Sequence, residues 1–73
     1  MLPSRCHEHD RKWIISQISK LPRGNIATAT IGYSKAYSEA HDAEPISHKK
    51  DNAARRAANT RLREYVEAIA KTK

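Results

Sequence analysis

The side chains with the richest chemistry lie together near the N-terminus of the sequence. Four possible metal ligands fall within five positions: Cys6, His7, His9 and Asp10. A structural zinc site needs two separated ligand pairs, and the second pair here would have to be His41 and His48, seven residues apart. Because that spacing matches no known zinc motif, we expect a polar helical turn at residues 6–10, with no metal and no cofactor.

Catalysis by the same residues is also disfavoured. Cys6 and His9 could in principle form a thiolate pair. The sequence around them offers nothing that would build a pocket or an oxyanion hole, and glycine occurs only at positions 24 and 32, so a glycine-rich phosphate loop is absent. We therefore predict that the protein is not an enzyme and acts by binding.

The distribution of charge indicates where binding would occur. The chain carries 14 Lys and Arg residues against 8 Asp and Glu, a formal net charge of +6. Residues 1–46 have a net charge of +1, whereas residues 47–73 have a net charge of +5. A basic C-terminal third favours nucleic acid or an acidic protein surface as the partner.

Within this basic third, a helical wheel separates an apolar face from a polar one. Ala54, Ala58, Leu62, Tyr65 and Ile69 recur at helical spacing on the apolar face. The predicted binding residues are polar and lie on or beside a stripe on the opposite face: Lys49, Asn52, Arg55, Arg56, Asn59 and Arg63. Lys50 and Arg61 flank the same stripe.

Three interpretations of this stripe remain open. Arginine and asparagine can contact guanine and adenine, and basic side chains can hold phosphates, so the stripe suits duplex DNA. Arginine forks also match carboxylates, so it equally suits an acidic protein surface. The third interpretation is a solvated face that binds nothing. Low aromatic content, with three Tyr, one Trp and no Phe, disfavours stacking on single strands.

The elements that must position the stripe are three helices separated by proline and glycine. We predict helices over residues 5–20, 26–41 and 47–70, with Ser4, Asn25 and Ser47 as their caps. Pro22 and Gly24 mark the first break, and Pro45 marks the second. The alternation from Ala27 to Ile31 resembles a strand, but a lone strand would leave its backbone groups unpaired. The expected fold is an all-α, compact three-helix domain with a long basic C-terminal helix, formed by residues 1–73 as a single domain.

Size and apolar content bound the surroundings of this domain. A chain of 73 residues with 38% hydrophobic residues supports one small core, which a homodimer or another partner could help to complete. Cys6 is the only cysteine, so no internal disulfide can form. No apolar run approaches the roughly 18 residues of a membrane span, and the N-terminus lacks the apolar stretch of a signal peptide. We expect a cytoplasmic protein that does not contact membranes.

Several segments give the sequence a resemblance to small proteins encoded in bacteriophage and prophage genomes. They are Leu21-Pro22 after a helix rich in Trp and Ile, the pair Tyr33 and Tyr37, Ala43-Glu44-Pro45, and the run from Asn52 to Val66. The resemblance implies a location in the cytoplasm of a host bacterium. It also implies an accessory role, in which the protein binds a host protein or nucleoprotein and inhibits a defence such as a CRISPR effector.

Overall fold

The protein folds into three helices. The computed structural model describes residues 2–71, in which α1 (Arg11–Ile18), α2 (Arg23–Ala43) and α3 (Lys50–Lys71) follow one another along the chain. Single 3-10 turns, Glu8–Asp10 and Ser47–Lys49, lead directly into α1 and α3. No strand occurs in this part of the chain, so the predicted all-α class with three helices and a long basic C-terminal helix is confirmed.

The first helix is shorter than the predicted 5–20. Ser4 is not its cap, because its hydroxyl donates to Ser34 Oγ on α2 at 3.2 Å. The Arg5 backbone N–H donates to the same oxygen at 3.2 Å, and the Arg5 guanidinium donates to Ser38 Oγ at 3.1 Å. Residues 2–7 therefore lie along α2. The Arg5 guanidinium carbon lies 5.4 Å from the centroid of the Tyr37 ring. This contact and the serine hydroxyls replace the contacts of a helical turn.

The second helix is longer than the predicted 26–41. It begins directly after Pro22, whose fixed φ is compatible with a helix start, and Gly24 lies inside it. Asn25 does not cap it, since its amide donates to the Tyr65 hydroxyl at 2.9 Å. The strand-like alternation is overridden by burial at helical spacing, and the Thr30 hydroxyl is satisfied by the Ala27 carbonyl at 3.0 Å.

The third helix differs least from its predicted range. Ser47 opens a 3-10 turn and does not directly precede the α-helix, which begins at Lys50. The Lys50 ammonium donates to the backbone carbonyls of His41, at 3.1 Å, and Glu44, at 2.6 Å. Because these carbonyls lie at the C-terminal end of α2, the lysine places a positive charge at the negative end of that helix.

The core lies between α2 and α3, which run antiparallel, and is closed on one side by α1. Its buried side chains are Ile14, Ile18, Leu21, Ala29, Tyr33, Ala36, Tyr37, Ala54, Ala58, Leu62 and Val66. Alanines at 54 and 58 are fully buried and allow the two long helices to approach closely. None of the described helices is long and apolar enough to cross a bilayer.

Candidate nucleic-acid interface

The outer face of α3, together with the 3-10 turn before it, presents a row of cations. Lys49, Arg56 and Arg63 are all exposed and follow one another at intervals of seven residues. Seven residues are two turns of helix, so the row repeats every ~10.5 Å and spans ~21 Å. Within residues 2–71, none of the three has a carboxylate within 4.0 Å, so their charges face solvent unpaired.

A groove of about 550 Å³ runs along the first half of this face. It is lined by Glu44, Lys49, Asn52, Ala53, Arg55, Arg56 and Asn59. Five of the six predicted binding residues therefore share one surface, and Arg63 lies farther along the helix. The acidic Glu44 is directed to its own loop, where its carboxylate accepts the Ile46 backbone N–H at 3.2 Å.

Two of the six predicted binding residues, Arg55 and Asn59, form hydrogen bonds to Asp10, which precedes α1. The Arg55 guanidinium forms a two-point contact with the Asp10 carboxylate, with Nε at 2.9 Å from Oδ2 and Nη2 at 3.0 Å from Oδ1. The Asn59 amide donates to Asp10 Oδ2 at 3.1 Å. Arg55 and Asn59 are consequently half-buried, whereas the other four predicted residues are exposed.

A buried tyrosine completes this network. The Tyr33 hydroxyl, from α2, donates to Asn59 Oδ1, so the Asn59 side chain bonds through both its oxygen and its nitrogen. Tyr33 is 1% exposed and Asp10 is 9% exposed. The network thus connects the 3-10 turn before α1 with α2 and α3, and two of its members, Arg55 and Asn59, line the basic groove.

The protonation behaviour of the network follows from these contacts. The hydrogen bond from Arg55 lowers the pKa of Asp10 below its ordinary value, and this outweighs the opposing effect of burial. The same bond raises the pKa of Arg55. Burial, followed by the nearby Asp10 charge, raises the pKa of Tyr33. At neutral pH, Asp10 is therefore ionised, Arg55 is charged and Tyr33 is neutral.

The role of Asp10 was missed at the level of sequence, where it appeared as a metal ligand candidate. No spacing rule connects it to Arg55, which is 45 positions away. His7, from the same N-terminal group of polar residues, has a different role. His7 Nδ1 accepts the His9 backbone N–H at 3.1 Å and caps the 3-10 turn. Across residues 2–71, no three His, Cys, Asp or Glu side chains are grouped so that they could hold a metal ion.

Comparison of the chain with protein-family models, with curated proteins and with solved structures gave no match.

Proposed function

We propose that the protein is a non-catalytic binding module that attaches to the phosphate backbone of duplex nucleic acid through the outer face of α3. The observation that carries this proposal is the row of Lys49, Arg56 and Arg63, exposed and unpaired along ~21 Å of one helix face. A regular row of cations on a rigid helix suits a duplex, whose phosphates form a regular array of negative charge.

The contacts inside the network favour binding to the backbone over reading of bases. Arginine and asparagine are the residues that recognise guanine and adenine by two-point contacts. Arg55 already uses Nε and Nη2, and Asn59 its amide nitrogen, on Asp10. Asn52 is the one asparagine of the stripe that remains exposed. Contacts to phosphates position a protein on a duplex but carry no sequence information. The proposal is therefore for binding with little sequence preference.

The aromatic residues favour a duplex over a single strand. Binding of single strands relies on bases that stack on exposed aromatic rings. Tyr33 and Tyr37 are buried in the core, and Tyr65 is half-buried with its hydroxyl bonded to Asn25. Trp13, on α1, is half-buried and packs against the core.

The direct test is fluorescence anisotropy of a labelled duplex of random sequence, titrated with the full chain at two salt concentrations. We expect micromolar binding at low salt. Each phosphate contact releases counterions, so three contacts predict an affinity that falls by about 40-fold between 50 mM and 200 mM salt. Absence of binding at 50 mM salt would refute the proposal.

A pair of matched variants locates the surface. The double variant Arg56→Ala/Arg63→Ala removes two cations from the row and should reduce affinity at low salt at least about tenfold. The control Arg11→Ala/Arg23→Ala removes two exposed arginines from the first turns of α1 and α2. Equal loss in both variants would mean that general charge, and not this face, attracts the duplex. Circular dichroism of both variants checks that the helices are intact.

A second candidate is an accessory protein of phage type that binds an acidic host protein or nucleoprotein in the bacterial cytoplasm and inhibits a defence such as a CRISPR effector. The observation that favours it is the exposed, unpaired pair Arg56 and Arg63, because an arginine fork also matches a carboxylate. A labelled poly-glutamate peptide, titrated beside a duplex of equal charge, separates the candidates. Preference for the peptide would favour the protein partner.

A further inference from the structure

Residues 24–34, in the first half of α2, differ from the rest of that helix because they lack charge. Residues 24–34 contain no charged side chain, in a protein in which 30% of residues are charged. Ile31 projects from this segment and is 68% exposed, more than any other large hydrophobic residue of the described chain. Ile31 also lines an apolar groove, so the exposed apolar surface here is contiguous, and contiguous apolar patches mark contact surfaces.

A groove of about 400 Å³ lies directly beside Ile31, between α2 and α3. Its walls are mostly apolar: Thr28, Ala29, Ile31, Gly32, Tyr33, Leu62 and Tyr65, with Arg61 at one side. There is free space beside Gly32, because a Cβ atom added there would meet only Arg61 Nε, at 3.8 Å. The face therefore carries a projecting side chain and a recess of matching apolar character side by side.

We propose that this face binds the same face of a second copy of the chain, so that Ile31 of each copy enters the groove of the other. A twofold interface requires one surface that is complementary to itself, and an adjacent knob and recess satisfy that requirement. This inference is independent of the nucleic-acid proposal, since none of the groove residues belongs to the row of Lys49, Arg56 and Arg63.

Charge favours this face over the basic face of α3 as the contact between two copies, with Arg61 the one charged residue that lines the groove. Two molecules that each carry +6 repel one another, and contact through the basic face of α3 would oppose cation to cation. The uncharged stretch of α2 is the place where the copies can approach with the least repulsion. It is ~16 Å long, so the buried area should fall below the roughly 800 Å² per partner of a standard interface, and we expect a weak dimer.

The response to salt is the distinguishing property of such a dimer. Salt screens the repulsion between the two cationic copies and leaves apolar contact intact, so association should strengthen as salt rises. Binding to a duplex should weaken over the same range. Sedimentation equilibrium of the full chain at 50 mM and 500 mM salt measures this. The expected mass at high salt and high concentration is twice the 8.3 kDa of the chain.

Three substitutions test the face. Ile31→Gln removes the projecting group without adding charge, and Gly32→Leu fills the recess. Each should weaken association at least about tenfold. The matched control is Ile15→Gln, since Ile15 on α1 is 50% exposed and lies outside the groove. A mass of 8.3 kDa under all conditions would overturn the proposal, as would a dimer that Ile31→Gln leaves intact or that Ile15→Gln weakens equally.

Discussion

Asp10 shows how one buried carboxylate organises two distant parts of the chain. It is 9% exposed, and an ionised group in that position is tolerated only when hydrogen bonds replace its lost water. Arg55 and Asn59 provide three such bonds. An intact buried ion pair contributes little net stability. Removal of one partner is nevertheless strongly destabilising, because the remaining charge is left without compensation.

The substitution Asp10→Asn should therefore lower the free energy of unfolding by about 2 kcal/mol at neutral pH. Chemical denaturation followed by circular dichroism measures the difference. Glu8→Gln is the matched control, because Glu8 lies exposed in the same 3-10 turn and should change stability little. If both variants lost stability equally, the turn and not the Asp10 contacts would be responsible.

Asp10 also makes the stability of the fold depend on pH in the acidic range. A carboxylate whose pKa is lowered in the folded state contributes stability that is present above its unfolded pKa, and that is lost as the pH falls through the folded value. The wild-type protein should lose this contribution below about pH 4. Asp10→Asn cannot titrate at this position, so the difference in stability between the two proteins should shrink as the solution is acidified.

Residue-level prediction from sequence succeeded where helical spacing alone decides the environment. Lys49, Asn52, Arg56 and Arg63 were placed on an outer face and are exposed. Arg55 and Asn59 lie at the edge of that face, where a helical wheel cannot distinguish a solvent-facing side chain from one that turns toward a neighbouring element. Their orientation depends on Asp10, 45 and 49 positions away, and no local pattern encodes a contact of that range.

At the scale of elements, Lys50 joins the two long helices. Its ammonium bonds to carbonyl oxygens of His41 and Glu44, which the end of α2 leaves without helical partners. Lys50 is the first residue of α3, so the same side chain fixes the start of one helix and the end of the other.

The substitution Lys50→Met keeps most of the side-chain length and removes the donor. We expect the free energy of unfolding to fall by about 1–2 kcal/mol, because the carbonyls lose a charged partner. Lys49→Met is the matched control, since Lys49 is exposed one position earlier and should be near neutral for stability. Thermal unfolding of the two variants provides the comparison, and a loss with Lys49→Met as large as with Lys50→Met would contradict this role.

The boundaries of the helices were predicted less accurately than their number, because residues that favour helix caps bond to distant partners instead. Serine and asparagine favour helix caps, but Ser4 and Asn25 use their side chains on Ser34 and Tyr65. Those partners lie 30 and 40 positions away, so local preference could not reveal them. Pro22 was interpreted as the end of the first helix, whereas it precedes the start of the second. Ala54, Ala58 and Leu62 were placed on an apolar face and are buried, because burial follows from periodicity.

At the scale of the whole molecule, the charge of +6 lies on an elongated body of 41 × 20 × 15 Å. The basic row and the uncharged face of α2 are separate surfaces, so the two proposed interactions respond to salt in opposite directions. At 50 mM salt we expect a protein bound to duplex and largely monomeric. At 500 mM salt we expect a free protein with a larger dimeric fraction.

Sedimentation velocity with a labelled duplex can follow duplex binding and dimerisation in one sample. The absorbance of the label and that of the protein are recorded separately across this salt range. Ile31→Gln should remove only the high-salt dimer, and Arg56→Ala/Arg63→Ala should remove only the low-salt complex. Loss of both species in either variant would show that the two surfaces are not separate.

The antiparallel pairing of α2 and α3 also sets the order in which the chain can assemble. The two helices are joined by a short turn, whereas the bonds from residues 4–10 to α2 and α3 join positions 29 to 49 apart. Closing a longer loop costs more entropy, so we expect the α2–α3 hairpin to form first and the N-terminal segment to dock on it afterwards. In the native state we expect the N-terminal segment to detach first, so that its amide hydrogens exchange with solvent sooner than those at the centre of the hairpin.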